Sequence, residues 1–345
     1  MDWIYDIHGV MMGMEMQTTK NLFLLALLGI GSIGTVAAKS VTWCVYDMAG
    51  NSGDVMQAMK DYALAAKNWG VETKTKVYTS DQQAVDAFKN NTCDAVVASS
   101  FVTREFNSFM GTLGAVGLIP NHQVANQLFM NLDNASLKSH MTQNNYEAVG
   151  WMPIGPAYFM VRDRSLNSIT ELAGRKVGVL KSDPSQERMA RRVGAVPVFM
   201  AFENAGQRFI QREIDVLASP VYAYQPLELH RGLGNRGGVI NFPVAYISLV
   251  MITKQKEFPS GYGQKSREWF KARTPKMMQN VIQWEKTMPN KYWYDIPMAD
   301  RTSYQRLVAQ LRKEFIKSGV YDNKMIDLVL KIHCAQNEKY FECKK

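Results

Sequence analysis

Signatures of catalysis and of cofactor binding are what this sequence lacks. It has no GxxxxGK[ST] loop to cradle a phosphate, no HExxH to set two imidazoles on one helix face and no GxSxG nucleophile elbow. Histidine is scarce, five residues in 345, and His122, His140, His230 and His333 are scattered with no i,i+4 pair, so each reads as a surface or core residue. Two GxGxxG spacings occur, Gly29/Gly31/Gly34 and Gly232/Gly234/Gly237, but neither follows a strand and opens a helix, as a dinucleotide site requires. Both are read as chance. No nucleophile or acid–base constellation remains, so neither an enzyme nor a bound cofactor is expected.

Glycine and proline are also modest, 24 and 12 residues, which excludes collagen-like and low-complexity chains. In their place stand 46% hydrophobic residues, including 21 Met, 15 Phe, 15 Tyr and 7 Trp, enough core for about two domains of ~150 residues each. The charge excess is small, 40 Lys and Arg against 31 Asp and Glu, and it is spread out. Nucleic acid is therefore not an expected partner, and Arg188/Arg191/Arg192 reads as a solvated helix face.

A single apolar run stands out, residues 21–38, preceded by Lys20 and ending in small residues. Its core, 22–33, is too short for the ~20 apolar residues of a membrane span, and Gly29 and Gly31 interrupt it. A cleaved signal peptide fits better, with Val36 and Ala38 at the −3 and −1 positions and the mature chain starting at Lys39. Met16 offers a cleaner basic start than Met1, because Asp2, Asp6 and Glu15 precede the lysine. Removing 1–38 takes away one Lys and three acids and so raises the formal charge from +9 to +11. A periplasmic location follows.

Four cysteines remain, Cys44, Cys93, Cys334 and Cys343, an even number in a chain expected to reach an oxidising compartment. Of the three possible connectivities, 44–93 with 334–343 is the expected one. A zinc site is the rival reading, but there is no CxxC and His333 has no second histidine nearby.

Along the mature chain, β-branched and aromatic segments alternate with helical spacing. Strands are expected at 39–46, 71–78 and 94–99, with helices at 55–69 and 81–89, giving β-α-β-α-β. Such alternation argues for a parallel sheet whose ligands gather beyond the strand C-termini. A mainly helical stretch to about 146 leads into an extended aromatic segment, 150–161, where the chain is expected to cross between domains. A second α/β unit follows, with strands at 175–180, 196–202 and 215–219, and extended chain at 239–253 returns to the first. Helices dominate from 260 onward.

Within the second unit, ITELAGRKVGVL and then RRVGAVPVFMAFENAGQRFIQREIDVLASPVYAY resemble the second domain of solute-binding proteins of tripartite ATP-independent periplasmic (TRAP) transporters. The matching features are the turn Glu171-Leu172-Ala173-Gly174, the strand Lys176–Val179, the segment Val193-Gly194-Ala195-Val196-Pro197-Val198, and Asp215 leading to Pro220. Similarity is clearest over about 168–270. The resemblance implies a two-lobed α/β periplasmic-binding-protein fold, type II-like, with hinge crossings and a helical C-terminal region. Lobe I would be 39–155 plus about 245–345, and lobe II 156–244. It further implies a monomeric receptor that captures a small-molecule solute and passes it to inner-membrane permease subunits. The chain is also similar to exported Acinetobacter proteins labelled AdeT and described as efflux components, so a binding module linked to drug tolerance, without a transporter, is the alternative. A pump itself is excluded by the single apolar run and the absence of sustained heptads.

Two departures bear on the ligand. The arginine with which the TRAP family forks a substrate carboxylate is replaced by Gly178, and Ser219 stands before Pro220 where an amide is usual. Arg164 or Lys181 could supply a displaced cation for an acidic solute. Beyond the strand ends, the candidates are Asp47, Asn51, Ser52 and Asp54; Ser99, Ser100 and Arg104; Lys181, Ser182 and Asp183; and Ser219 and Tyr222. Trp151, Tyr158, Phe242 and Tyr246 are aromatic candidates near the crossings. Asp47 and Asp54 suit a cationic amine, with helix capping the competing role for Asp54 and core packing for Trp151 and Tyr158.

Overall fold

The computed structural model describes residues 38–343; the leader assigned to 1–38 lies outside them, apart from its last residue. The first strand, β1 (Lys39–Tyr46), is buried from Trp43 onward, as its β-branched and aromatic content requires. After α1 (Asp54–Asn68), β2 (Val71–Tyr78) pairs with it in parallel. Next come α2 (Asp81–Lys89), whose first turn is capped by the Ser80 hydroxyl rather than by Asp81, and β3 (Ala95–Ser99), buried throughout. Three short helices, α3 (Ser100–Thr103), α4 (Ser108–Gly111) and α5 (His122–Phe129), fill the stretch before β4 (Thr142–Gln143) and the long β5 (Tyr146–Val161).

The second unit repeats the plan with β6 (Lys176–Leu180), α6 (Pro184–Arg192), β7 (Val196–Met200), α7 (Ala205–Ile210) and β8 (Val216–Pro220). After α8 (Leu229–Leu233), β9 (Gly238–Lys254) runs back for 17 residues. The chain closes with α9 (Tyr262–Lys286), β10 (Trp293–Tyr294), α10 (Met298–Lys317) and α11 (Asn323–Gln336).

Strand order is β2-β1-β3-β9-β5-β8-β6-β7. The outer triplets are parallel, as the alternation predicts, but β9 runs antiparallel to β3 and to β5, and β5 antiparallel to β8. The sheet is mixed because β5 and β9 each traverse both halves. Near one end β9 pairs with β3 as far as Leu249; near the other β5 pairs with β8 from Ala157. Between these points, Pro153↔Ser248, Gly155↔Ile247 and Pro156↔Tyr246 are held by β5 and β9 alone. Within the sheet the halves are thus joined by a two-stranded waist, and register shifts fall within it at Pro153/Gly155.

Packing differs on the two sides. In the β1–β3 half, the Tyr62 ring lies 5.0 Å from those of Trp43, Trp269 and Phe270. Its hydroxyl is 2.6 Å from both Tyr262 Oη and Ser266 Oγ and so is satisfied, whereas the indole N–H groups of Trp43 and Trp269 are buried without a partner among the described residues. Each such buried ring contributes about 1.5–3 kcal/mol. Helix α9 lies so close to β5 that a Cβ at Gly150 would stand 2.1 Å from the Phe270 ring, which is why that strand position has no side chain. The far end of α9 reaches the other half, where Tyr158 Oη donates to Glu285 Oε1 at 2.6 Å and the Trp284 ring lies 4.6 Å from that of Tyr222. Both cystine bridges form, Cys44–Cys93 tying β1 to the approach of β3 and Cys334–Cys343 tying α11 to the C-terminal turn. No cysteine among the described residues is left to bind a metal.

Candidate functional site

The seam between the halves lies over the waist and is walled by strand ends. Tyr46, Asp47 and Met48 come from the end of β1, Ser99 and Phe101 from that of β3, Leu180 from β6, and Pro220 and Tyr222 from β8. Asp81 contributes from the start of α2, and Ile154, Ile247 and Leu249 form the floor. Together these residues wall a narrow, mainly apolar crevice between the two halves of the sheet. A second seam cavity shares Phe101, Leu180, Phe202, Pro220 and Ile247, continuing toward Asp183.

The acids here are held by local rules. Asp47 Oδ1 accepts from Ala49 N and Oδ2 from Met56 N, both at 2.9 Å, so this residue, and not Asp54, serves the start of α1. Gly53 makes that possible, because a Cβ there would fall 1.9 Å from Asp47 Oδ1. Asp81 Oδ2 accepts from Ser99 Oγ at 2.6 Å. Burial raises the carboxyl pKa of both, most directly by desolvation; the backbone amides oppose this at Asp47, and Glu203 adds a like charge at Asp81. The Tyr46 hydroxyl, on the same wall, is buried without a hydrogen-bond partner among the described residues, and desolvation again raises its pKa.

Farther along the seam, Arg104 Nη1 reaches Asp183 Oδ1 at 3.1 Å, joining the end of β3 to the end of β6. Asp183 also caps α6, accepting from Ser185 N at 3.3 Å and Ser185 Oγ at 2.8 Å. Its negative charge is thereby fully engaged.

Of the sequence candidates, Asp47, Ser99 and Tyr222 line the principal seam cavity, and Asp183 lines its continuation. Arg104 and Ser182 flank an open groove at the seam's edge. Ser100 is buried beside them with its hydroxyl unpartnered. The remaining candidates lie elsewhere. Asn51, Ser52 and Asp54 are exposed on the turn into α1, and Lys181 points to solvent. Trp151 donates to Thr274 Oγ1 beneath α9, and Tyr158 is taken by Glu285, so both serve packing. Ser219 Oγ turns onto the Pro220 carbonyl. Phe242 lies edge-on to Tyr304 in a separate cavity under α10, and Tyr246 packs against Phe129 and His122. Arg164 donates to the carbonyls of Gly237 and Lys291, so neither it nor Lys181 replaces the missing arginine.

Position 178 is itself tightly packed. A Cβ on Gly178 would meet Met200 Sδ and Ile214 Cδ1 at 3.0 Å, so any side chain there has to push these two aside. Sequence reasoning missed the apolar walls, Met48, Phe101, Ile154, Leu180, Phe202, Ile247 and Leu249, because it searched strand ends for polar side chains. Asp81 was read as a helix-start residue. Its position beside a buried strand end was the available signal.

A family model for the solute-binding proteins AdeT 1/2 matches residues 63–345. The chain belongs to that family. A protein of Acinetobacter baumannii described as "Probable solute-binding protein AdeT1" is 37% identical over 299 residues, covering 87% of this chain and 98% of its own. Among solved structures, a TRAP periplasmic solute-binding protein of Ralstonia eutropha with bound (S)-2-acetolactate superposes with a TM-score of 0.68 at 13% identity, covering 87% of this chain and 99% of its own. One from Desulfovibrio salexigens with bound orotic acid gives the same TM-score and identity, covering 86% and 99%. The fold is that of the TRAP periplasmic binders, and the function of the family is solute binding.

Proposed function

We propose that this chain is the periplasmic receptor of a TRAP-like transporter, exported by a cleaved leader, which closes two lobes around a small molecule and delivers it to inner-membrane permease subunits. Residues 39–155 with about 245–345 form one lobe and 156–244 the other, working as a monomer. The observation that carries this reading is the two-stranded waist lying directly under a cavity walled by strand ends of both halves. That arrangement lets the halves separate while β5 and β9 remain paired, the hinge design of ligand-closing receptors. The acid ligands of the solved neighbours support capture of small molecules as the activity of this architecture.

A thermal-shift screen of the purified chain against carboxylates, amines, aminoglycosides and siderophores tests the reading. A ligand at ~100 times its dissociation constant adds about 2.7 kcal/mol and moves the midpoint by a few degrees. Silence across the whole screen, together with turnover of any compound, would end it. N-terminal sequencing of the exported protein should begin at Lys39.

A further inference from the structure

We propose that the solute taken by this cleft is an organic cation with an apolar, aromatic-compatible body, its ammonium group received by Asp81 and the Tyr46 hydroxyl in the field of Asp47. The inference rests on the cleft being the solute site and names the chemical class of its substrate.

The first ground is a contrast among buried carboxylates. Asp47, Asp81 and Asp183 are the acids at or below 9% exposure, and Asp183 has Arg104 at 3.1 Å. Among the described residues, Asp47 and Asp81 have no Lys, Arg or His within ion-pair distance, and both line the principal cavity. An uncompensated buried charge is costly, and a cation arriving with the solute removes that cost.

The second ground is independent of the acids. Tyr46 Oη is buried, unpartnered among the described residues and part of the same wall, so it has a lone pair to offer an N–H donor. Thirdly, among the described residues no basic side chain lines the cavity, and the position from which a guanidinium fork would act is a glycine packed against Met200 and Ile214. An acid solute would meet two carboxylates and no counter-charge. The aromatic walls, Tyr46, Phe101, Phe202 and Tyr222, are suited to a cation or to the body that carries it.

The roles are unequal. Asp47 has both oxygens engaged by backbone amides, so it holds its charge in place without turning toward a ligand. Asp81 has one oxygen on Ser99 and is the contact group. Exposed Glu203 adds a further like charge acting on both Asp81 and Tyr46.

The test is calorimetric titration of the purified chain with matched triads of arylalkyl compounds: 3-phenylpropylamine, 3-phenylpropan-1-ol and 3-phenylpropanoate, with their shorter and longer homologues. We expect amines to bind at least tenfold more tightly than both partners of equal length. Asp81→Asn should weaken the amine at least tenfold and leave the alcohol within about twofold, and Tyr46→Phe should weaken the amine severalfold. A melting point for Asp81→Asn at or above the parent's establishes that this variant is folded. Tightest binding by a carboxylate, equal binding of amine and alcohol, or an unchanged amine affinity in Asp81→Asn would each overturn the proposal and leave the solute-receptor reading standing. Binding by no triad member also overturns it, and the receptor reading falls as well only when the broad thermal-shift screen is silent and some compound is turned over.

Discussion

Two parts of the same seam treat a buried carboxylate in opposite ways. Toward the edge, Asp183 is neutralised by Arg104 from the facing half and spends its other contacts on the cap of α6. At the centre, Asp47 and Asp81 are equally enclosed but receive only neutral donors, backbone amides and the Ser99 hydroxyl. On the reading proposed above, the difference separates a latch from a socket. A carboxylate paired within the protein contributes to closure whether or not a guest is present, whereas one lacking a counter-ion makes closure depend on what is enclosed.

The sharpest way to break this comparison is to remove the internal cation. Arg104→Ala strands the Asp183 charge and should cost about 3–5 kcal/mol in urea unfolding; a loss below 1 kcal/mol would show that the pair does not hold the halves together. Next in size is an attempt to build in the arginine that the resemblance to TRAP binders implies at this position. Gly178→Arg has to displace Met200 and Ile214, so it should destabilise by about 2–3 kcal/mol without creating affinity for 3-phenylpropanoate. A stable variant that binds the acid would show that these two side chains give way.

The smallest effect concerns the socket, and its sign is opposite. Burial holds the Asp81 carboxyl above its usual value of 3.8, with Glu203 as a further like charge, so in the empty protein the ionised form is the disfavoured one. Stability from this group is fully present below the unfolded-state pKa and is lost as pH rises through the raised folded-state value. Asp81→Asn keeps an acceptor for Ser99 and should therefore stabilise the empty chain at pH 7 by about 1 kcal/mol, a gain that disappears below pH ~4. Asp47 titrates in the same direction, so the parent chain should itself gain stability over part of the mildly acidic range. Melting curves from pH 4 to 7 on parent and variant check both signs; a variant less stable than the parent at pH 7 would place Asp81 with the latch.

How far the sequence discloses this arrangement depends on the range of the interaction. Strands 39–46 and 71–78 and helix 81–89 are legible to the residue, because local alternation and a nearby capping serine set their ends. The 17-residue β9 is only partly legible, since Pro243 and Phe242 read as ordinary extended chain and nothing local says that Leu249 turns its pairing from β5 alone to β3 as well. The cleft is the least legible. Trp151 and Tyr158 sit near the crossings but face α9, and strand periodicity cannot tell which side of a doubly covered sheet is the ligand's side. The walls are apolar, Leu180, Ile247 and Leu249 among them, and on sequence alone such residues cannot be distinguished from core.

The waist has a mechanical corollary. Pro153 and Pro156 bring no amide hydrogen to the β5–β9 ladder, so the ribbon that links the halves forgoes rungs at the place where bending would otherwise break them. On the proposed receptor reading, the halves would swing by torsion of two backbones already freed of part of their cross-bracing, and little secondary structure would have to be torn and remade at each cycle.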